Sequence, residues 1–270
     1  VVSDMCIRDR NRSLHFWANN TSKKSITLDI QSRSGQTIFL SLVGRADIIL
    51  ESFDPGYLQS LGLGYHTLKN INRPLIMTSL TGFGQTGPYL DYKTTDLVAL
   101  AMGGIMHSCG YNDVADSPPI APSGGHGYYI GAHYGLIGTL AALLYRDYTG
   151  EGQYVDASIH EACSCITEAA VPHYFYTGNI VQRQTARHHS PYLTPKTLCA
   201  TKDEGYVTIF ALFTNLNSWL TLVKWMEEAG LAEDLTATRY QDMARQNPRS
   251  LSLIHISEPT RPRLIWYSVG

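Results

Sequence analysis

Three short runs of strand-forming residues constrain this chain more than any other feature. Residues 47–50 (DIIL) and 75–80 (LIMTSL) are continuous apolar runs, as expected of strands covered on both faces, and residues 154–158 (YVDAS) alternate. Between them lie stretches with helical spacing. Residues 36–43 place Ile38, Phe39, Leu40, Leu42 and Val43 on one side. Residues 97–106 are apolar, and residues 133–145 repeat Leu136, Ile137, Leu140, Leu143 and Leu144. Strands alternating with helices of this length predict an α/β fold, a parallel sheet with crossover helices. A further strand is expected at residues 25–29 (SITLD), where Ile26 and Leu28 alternate with polar residues.

Punctuation between these runs fits the same scheme. Asp54-Pro55-Gly56 reads as a turn, and residues 57–61 and 65–70 as short helical pieces. A glycine-rich loop, TGFGQTGP, occupies residues 81–88. Residues 107–127 are rich in Gly, Pro, Ser and Asp and read as a long ordered loop, a kind that is usually functional. A helix is expected at residues 159–170. Past Pro195 the pattern changes to a strand at 206–210 and a helix at about 219–229, so a domain change is placed near 190–195.

The two ends read differently. Met5-Cys6-Ile7-Arg8-Asp9-Arg10 is what ATG TGT ATA AGA GAC AGN encodes. Leu251-Ser252-Leu253-Ile254-His255-Ile256 is what its reverse complement, CTG TCT CTT ATA CAC ATC, encodes. That DNA is the end of a common transposase library adapter, found here in opposite orientations at opposite ends. Residues 1–10 and 251–270 are therefore expected to be adapter-derived and to lie outside the fold. The expected organisation is 11–192 as a large domain and 193–250 as the start of a small α+β domain, in a fragment of a longer protein.

Composition removes several function classes. The formal charge is −2, and no basic run marks a nucleic-acid binder. No apolar stretch is long enough to span a membrane, and the start does not read as a secretory signal. The cysteines, Cys6, Cys109, Cys163, Cys165 and Cys199, contain no C-x-x-C pair, so neither a zinc nor a redox motif is indicated. Reduced thiols and a cytoplasmic location are expected. The glycine-rich loops do not form a nucleotide fingerprint either. There is no G-x-x-x-x-G-K-[ST], and Gly125-His126-Gly127 is followed by Gly131, one residue too far for G-x-G-x-x-G.

Four separated segments carry a resemblance: residues 19–29 (NNTSKKSITLD), 47–56 (DIILESFDPG), 79–89 (SLTGFGQTGPY) and 140–162 (LAALLYRDYTGEGQYVDASIHEA). In this order and at this spacing the sequence resembles the class III coenzyme A (CoA)-transferase family, which includes formyl-CoA and carnitine CoA-transferases. The resemblance implies the large Rossmann-like domain of that fold, its first strand–helix unit preceding residue 11. It also implies an interlocked homodimer, with a heterodimer with a paralogue as the alternative. CoA or acyl-CoA would be a substrate, together with a carboxylic acid, and no permanently bound cofactor or metal is expected.

Matching motif to motif, the resemblance assigns CoA contacts to Leu28, Asp29, Ile30 and Gln31 at the nucleotide end. It assigns a second loop to Ser52, Phe53 and Asp54, and a third to Lys93, Thr94, Thr95 and Asp96. A ligand rich in phosphate favours backbone N–H groups, small polar side chains and a few cations, and Lys23, Lys24 and Lys93 are available. Ser60 stands where the family commonly has a basic residue. Asp96 has two open readings, a CoA contact or a helix cap.

The family's reaction moves CoA from an acyl-CoA to a free carboxylate. An Asp carboxylate attacks the thioester carbonyl, giving a mixed anhydride and CoA thiolate. Counting back from the L-A-A-L run at 140–143 places that Asp at Tyr128, and no acidic residue lies between Asp116 and Asp147. An aryl ester on Tyr128 is a poor substitute for the anhydride. Racemases of the family need a His and an Asp, and this chain has Thr95 and Tyr128 there. His126, between two glycines, is the candidate substitute as base or nucleophile, against a histidine that bonds the backbone. His133 and His160 are read as packing residues and Asp156 as structural. Three readings stay open: a transferase with a variant mechanism, a CoA-binding partner without the chemistry, and an acyl-CoA racemase.

Overall fold

The computed structural model describes residues 8–9, 12–167, 170–194, 196–201, 203–208 and 216–241. At the start β1 (Arg8–Asp9) and β2 (Arg12–Ser13) pair with each other, antiparallel and apart from the main sheet, and lead into α1 (Leu14–Asn19). Residues 251–270 lie outside the described residues.

No strand forms at residues 25–29. That stretch is irregular, and Ile26 is exposed. Its end is committed to a helix start. The backbone N–H and hydroxyl of Ser32 both donate to the Asp29 carbonyl, at 3.3 and 2.8 Å, and the Ser32 hydroxyl accepts from Gly35 N–H. Ser32 is thus the N-cap of α2 (Arg33–Val43), one of the residue types that best satisfies the orphan donors of a first turn. Alternation alone proposes a strand, but the cap decides the local conformation.

The three runs form one parallel sheet. β3 (Ile48–Glu51) pairs with β4 (Ile76–Thr81), and β4 with β5 (Tyr154–Ser158). Short helices α3 (Tyr57–Ser60) and α4 (Tyr65–Ile71) cross over from β3 to β4. Between β4 and β5 run α5 (Asp96–Met102), a 3-10 turn at Ile105–Ser108 and the long α6 (His126–Thr149). α7 (Ile159–Cys165) follows β5, and α8 (Ala170–Thr177) is separate, so the helix expected over 159–170 is broken at Ile166. Beyond these, β6 (Leu198–Ala200) and β7 (Tyr206–Thr208) pair antiparallel, followed by α9 (Leu216–Glu228). α9 has its own apolar cluster, built on Trp219, Val223, Met226 and Leu235.

The sheet is covered unequally on its two faces. On one, Val43, Leu58, Leu63, Leu68, Leu75 and Met77 form a core under α2, α3 and α4. Burying a leucine such as Leu68 fully is worth about 2 kcal/mol or more. On the other, α6 lies directly over β4 and β5, where a Cβ at Gly138 would meet Val155 Cγ1 at 2.8 Å, and its Gly131 abuts the start of α7, where a Cβ would fall 2.8 Å from Ile159 Cγ1. The hydroxyls of Thr78 and Thr139, both buried, share a hydrogen bond of 2.7 Å that fixes the helix's register on β4. Thus β4 is buried as its apolar run predicts, but β3 is an edge strand. Leu50 on β3 is 72% exposed, and Ile48 and Leu50 line an open groove against Leu136 and Thr139 of α6.

Candidate active site

In parallel sheets the crevice outside the carboxyl ends of the strands is where ligands bind. Here that end holds a cavity of about 370 Å³. Ser52, Phe53, Asp54 and Pro55 enter it from the end of β3, Thr81, Gly82 and Phe83 from the end of β4, and Ile159 from just after β5. Tyr92, Lys93 and Thr94 close one side, and Tyr128 faces it from the first turn of α6. The loops fit closely because Gly82 has no side chain: a Cβ there would fall 2.1 Å from Thr94 Cγ2.

The second and third loops assigned from the sequence therefore meet Tyr128 around one space. Lys93 Nζ pairs with Asp54 Oδ2 at 3.1 Å across it, and both side chains are largely exposed. The first loop does not line the cavity but reaches it through a relay. Gln31 Nε2 donates to the Tyr57 hydroxyl at 2.9 Å, and the Tyr57 ring lies 5.0 Å from that of Phe53. Asp29 is spent locally, its carboxylate accepting Gln31 N–H at 2.9 Å, and Ile30 packs against the α2 core. Leu28 is half-buried.

The start of α6 differs from the sequence reading. The helix begins seven residues before His133, at His126, so His126 is its first residue and not part of the preceding loop. Two features extend it. Gly125 adopts a left-handed conformation (φ 79°), which glycine takes without strain and which turns the chain into the helix. The Asp96 carboxylate accepts Gly127 N–H at 2.7 Å and Tyr128 N–H at 3.3 Å. Asp96 is thus a cap, but of α6, while Thr95 caps α5 by accepting Val98 N–H at 3.4 Å. A negative charge already sits where α6 would otherwise offer free N–H groups to a ligand. His126 is exposed and does not line the cavity.

The sequence reading passes over Phe83, Tyr89 and Tyr92 and the Thr81 hydroxyl around the site. Phe83, Tyr89, Tyr92 and His160 form a ring cluster with centroids 5.2–6.4 Å apart, which shapes the glycine-rich loop. Both carboxylate oxygens of Asp156 accept Gln85 N–H, at 3.1 and 2.9 Å, and tie that loop to β5. His133 hydrogen-bonds the Tyr129 carbonyl, 2.7 Å away, through Nδ1. Thr81 is 6% exposed, and its hydroxyl has no hydrogen-bond partner among the described residues. A second cavity, of about 260 Å³, lies on the sheet face away from α6, beside Tyr65, Ser79 and Tyr154. Burial pushes the phenols of Tyr65 and Tyr154 above their ordinary pKa, and the charge of Glu151 adds to the shift at Tyr65. Burial, with the nearby charge of Asp96, likewise raises the thiol of Cys163.

A sequence model described as CoA-transferase family III matches residues 4–260. The chain belongs to that family. The succinyl-CoA–L-malate CoA-transferase beta subunit of Chloroflexus aurantiacus is 35% identical over 74% of this chain and 49% of its own length. The succinyl-CoA–D-citramalate CoA-transferase of the same organism is 36% identical, over 77% and 52%. The BbsE subunit of succinyl-CoA:(R)-benzylsuccinate CoA-transferase from Thauera aromatica is 33% identical, over 82% and 52%. Among solved structures, a CAIB/BAIF family protein from Brucella suis superposes with a TM-score of 0.69 at 28% identity, covering 91% of this chain and 63% of that one. The chain spans about half the length of these curated family III relatives. The family match takes in residues 4–10 and 251–260, parts of the two ends set aside on the nucleotide reading.

Among the described residues no helix is long and apolar enough to cross a membrane, and no group of His, Cys, Asp or Glu side chains is placed to hold a metal ion.

Proposed function

We propose that the whole protein moves CoA between an acyl-CoA and a carboxylic acid. The acyl-CoA gives up CoA and leaves as the free acid, and the second acid leaves as its thioester. The observation that carries this reading is the convergence of Ser52–Asp54, Lys93–Thr94 and Tyr128 on one cavity at the strand ends of a family III fold. Relatives named for succinyl-CoA, malate, citramalate and mesaconate support a short dicarboxylic acyl donor and acceptor. Phe53, with Gln31 behind Tyr57, is assigned to the nucleotide end of CoA, and Tyr128 to the reacting end. The protein works in the cytoplasm, residues 1–10 and 251–270 are adapter-derived, and a domain change falls near residue 193.

A second reading is favoured by the missing carboxylate. The family nucleophile falls at Tyr128, and nothing acidic stands between Asp116 and Asp147. Some relatives are named as alpha and beta subunits of one transferase. In this reading the chain is the partner of a paralogue that carries the nucleophile.

The test uses the full-length protein, alone and co-expressed with its nearest paralogue. Calorimetry measures CoA binding, and hydroxylamine traps any acyl-enzyme formed from succinyl-CoA. A trapped acyl group on this chain, lost in Tyr128→Phe or His126→Ala, supports the variant mechanism. Activity only in the mixed assembly, with the acyl group on the paralogue, supports the partner role. Absence of CoA binding in both preparations sinks the reading.

A further inference from the structure

The cavity's wall is uneven in chemistry. Leu80, Phe83 and Ile159 are apolar, and among its lining residues Lys93 is the sole cation. That ammonium is held by Asp54, from a loop 39 residues away in sequence, at 3.1 Å. The side chains are 86% and 79% exposed, so water competes for both partners and the pair is easily exchanged. Lys93 is thus paired with a carboxylate that belongs to the protein. Thr81 lines the same wall, and its buried hydroxyl has no hydrogen-bond partner among the described residues, where buried polar groups are ordinarily paired.

We propose that Lys93 is the specificity anchor for the second carboxylate of a dicarboxylic acid, and that Asp54 is its stand-in until the acid arrives. This rests on the transferase reading and names the substrate class within it. The reacting carboxylate lies toward Tyr128, and the distal one displaces Asp54 from Lys93. A monocarboxylic acid of the same length leaves the Lys93–Asp54 pair in place and gains nothing from it. The volume of about 370 Å³ leaves room for a short-chain diacid.

The experiment compares succinate with butyrate on the full-length protein by ligand-observed NMR titration, with CoA measured in parallel by calorimetry. Lys93→Met keeps the stem and removes the charge; Asp54→Asn removes the stand-in. The expected result is that Lys93→Met weakens succinate about two- to fivefold and leaves butyrate unchanged. Asp54→Asn should tighten succinate by about two- to threefold. Equal losses for succinate and butyrate, or no loss for either, overturn the proposal. So does a loss confined to CoA, which would make Lys93 a phosphate contact. Wild-type protein that distinguishes the two acids through Lys93 but binds no CoA would leave the anchor standing and defeat the transferase reading. Protein that binds CoA but shows no preference for succinate would do the reverse.

Discussion

The two faces of α6 are built from opposite materials. The face laid on β4 and β5 is Gly131, Gly135, Thr139 and Ala142, all buried. The opposite face carries Ile137, Leu140 and Leu144, which are 48–62% exposed. On the α2–α4 side of the same sheet the core is leucine and methionine. The difference teaches that a helix is held to this sheet by closeness on one side and by apolar bulk on the other. Small residues bring backbone to backbone, so contact is extensive without large side chains. An apolar row in sequence thus shows where bulk is, not which face meets the core.

The comparison is broken most severely at the close face. Gly131→Val inserts a side chain against Ile159 and should lower stability by about 2–3 kcal/mol, measured as a shift of the urea midpoint. An unchanged midpoint would mean that α6 sits farther from the start of α7 than described. Next, Thr139→Val leaves the Thr78 hydroxyl buried without its partner and should cost about 1–2 kcal/mol. Adding Thr78→Val should recover part of that loss, and strictly additive penalties would contradict a shared bond.

The two ends of the helix sharpen the contrast. Asp96→Ala removes the acceptor for two N–H groups and should cost about 1 kcal/mol, read from the same midpoints. At the other end Glu151 pairs with Arg73 and Lys69, and the hydrogen bond from Arg73 holds its carboxyl below the usual range. A folded-state pKa below the unfolded one gives a stabilisation that is complete above the ordinary carboxylate range and is lost as pH falls through the folded value. Glu151→Gln should therefore lower the midpoint slightly at about pH 6, and the gap should narrow as pH falls below the ordinary carboxylate range. A gap that widens on acidification would refute the pairing. The smallest effect belongs to the outward face: Leu140→Ser in this chain should change stability by less than about 0.5 kcal/mol.

Much of the fold was legible where the sequence offered a single local answer. The runs at 47–50, 75–80 and 154–158 became a parallel sheet, and residues 36–43 fell within α2, because length and apolar content allowed few other structures. The start of α6 was not legible. Its first turn, His126-Gly127-Tyr128-Tyr129, lacks helical periodicity and is secured by Asp96, 31 residues earlier along the chain. Residues 25–29 misled because their alternation had no neighbouring strand to satisfy, while Ser32 had a helix to cap. At the site, Ser52, Phe53, Asp54, Lys93, Thr94 and Tyr128, singled out by the family motifs, line one cavity. The chemistry between them, such as the Lys93–Asp54 pair, depends on folding distant segments together.

The Asp96 carboxylate has a mechanical consequence. Asp96 stands three positions after Lys93 in the chain, at the first residue of α5, and its side chain is fastened to the backbone of Gly127 and Tyr128. The segment bearing Lys93 and the first turn of α6 thus turn on one pin, so neither can swing away from the other without pulling Asp96 off the helix start.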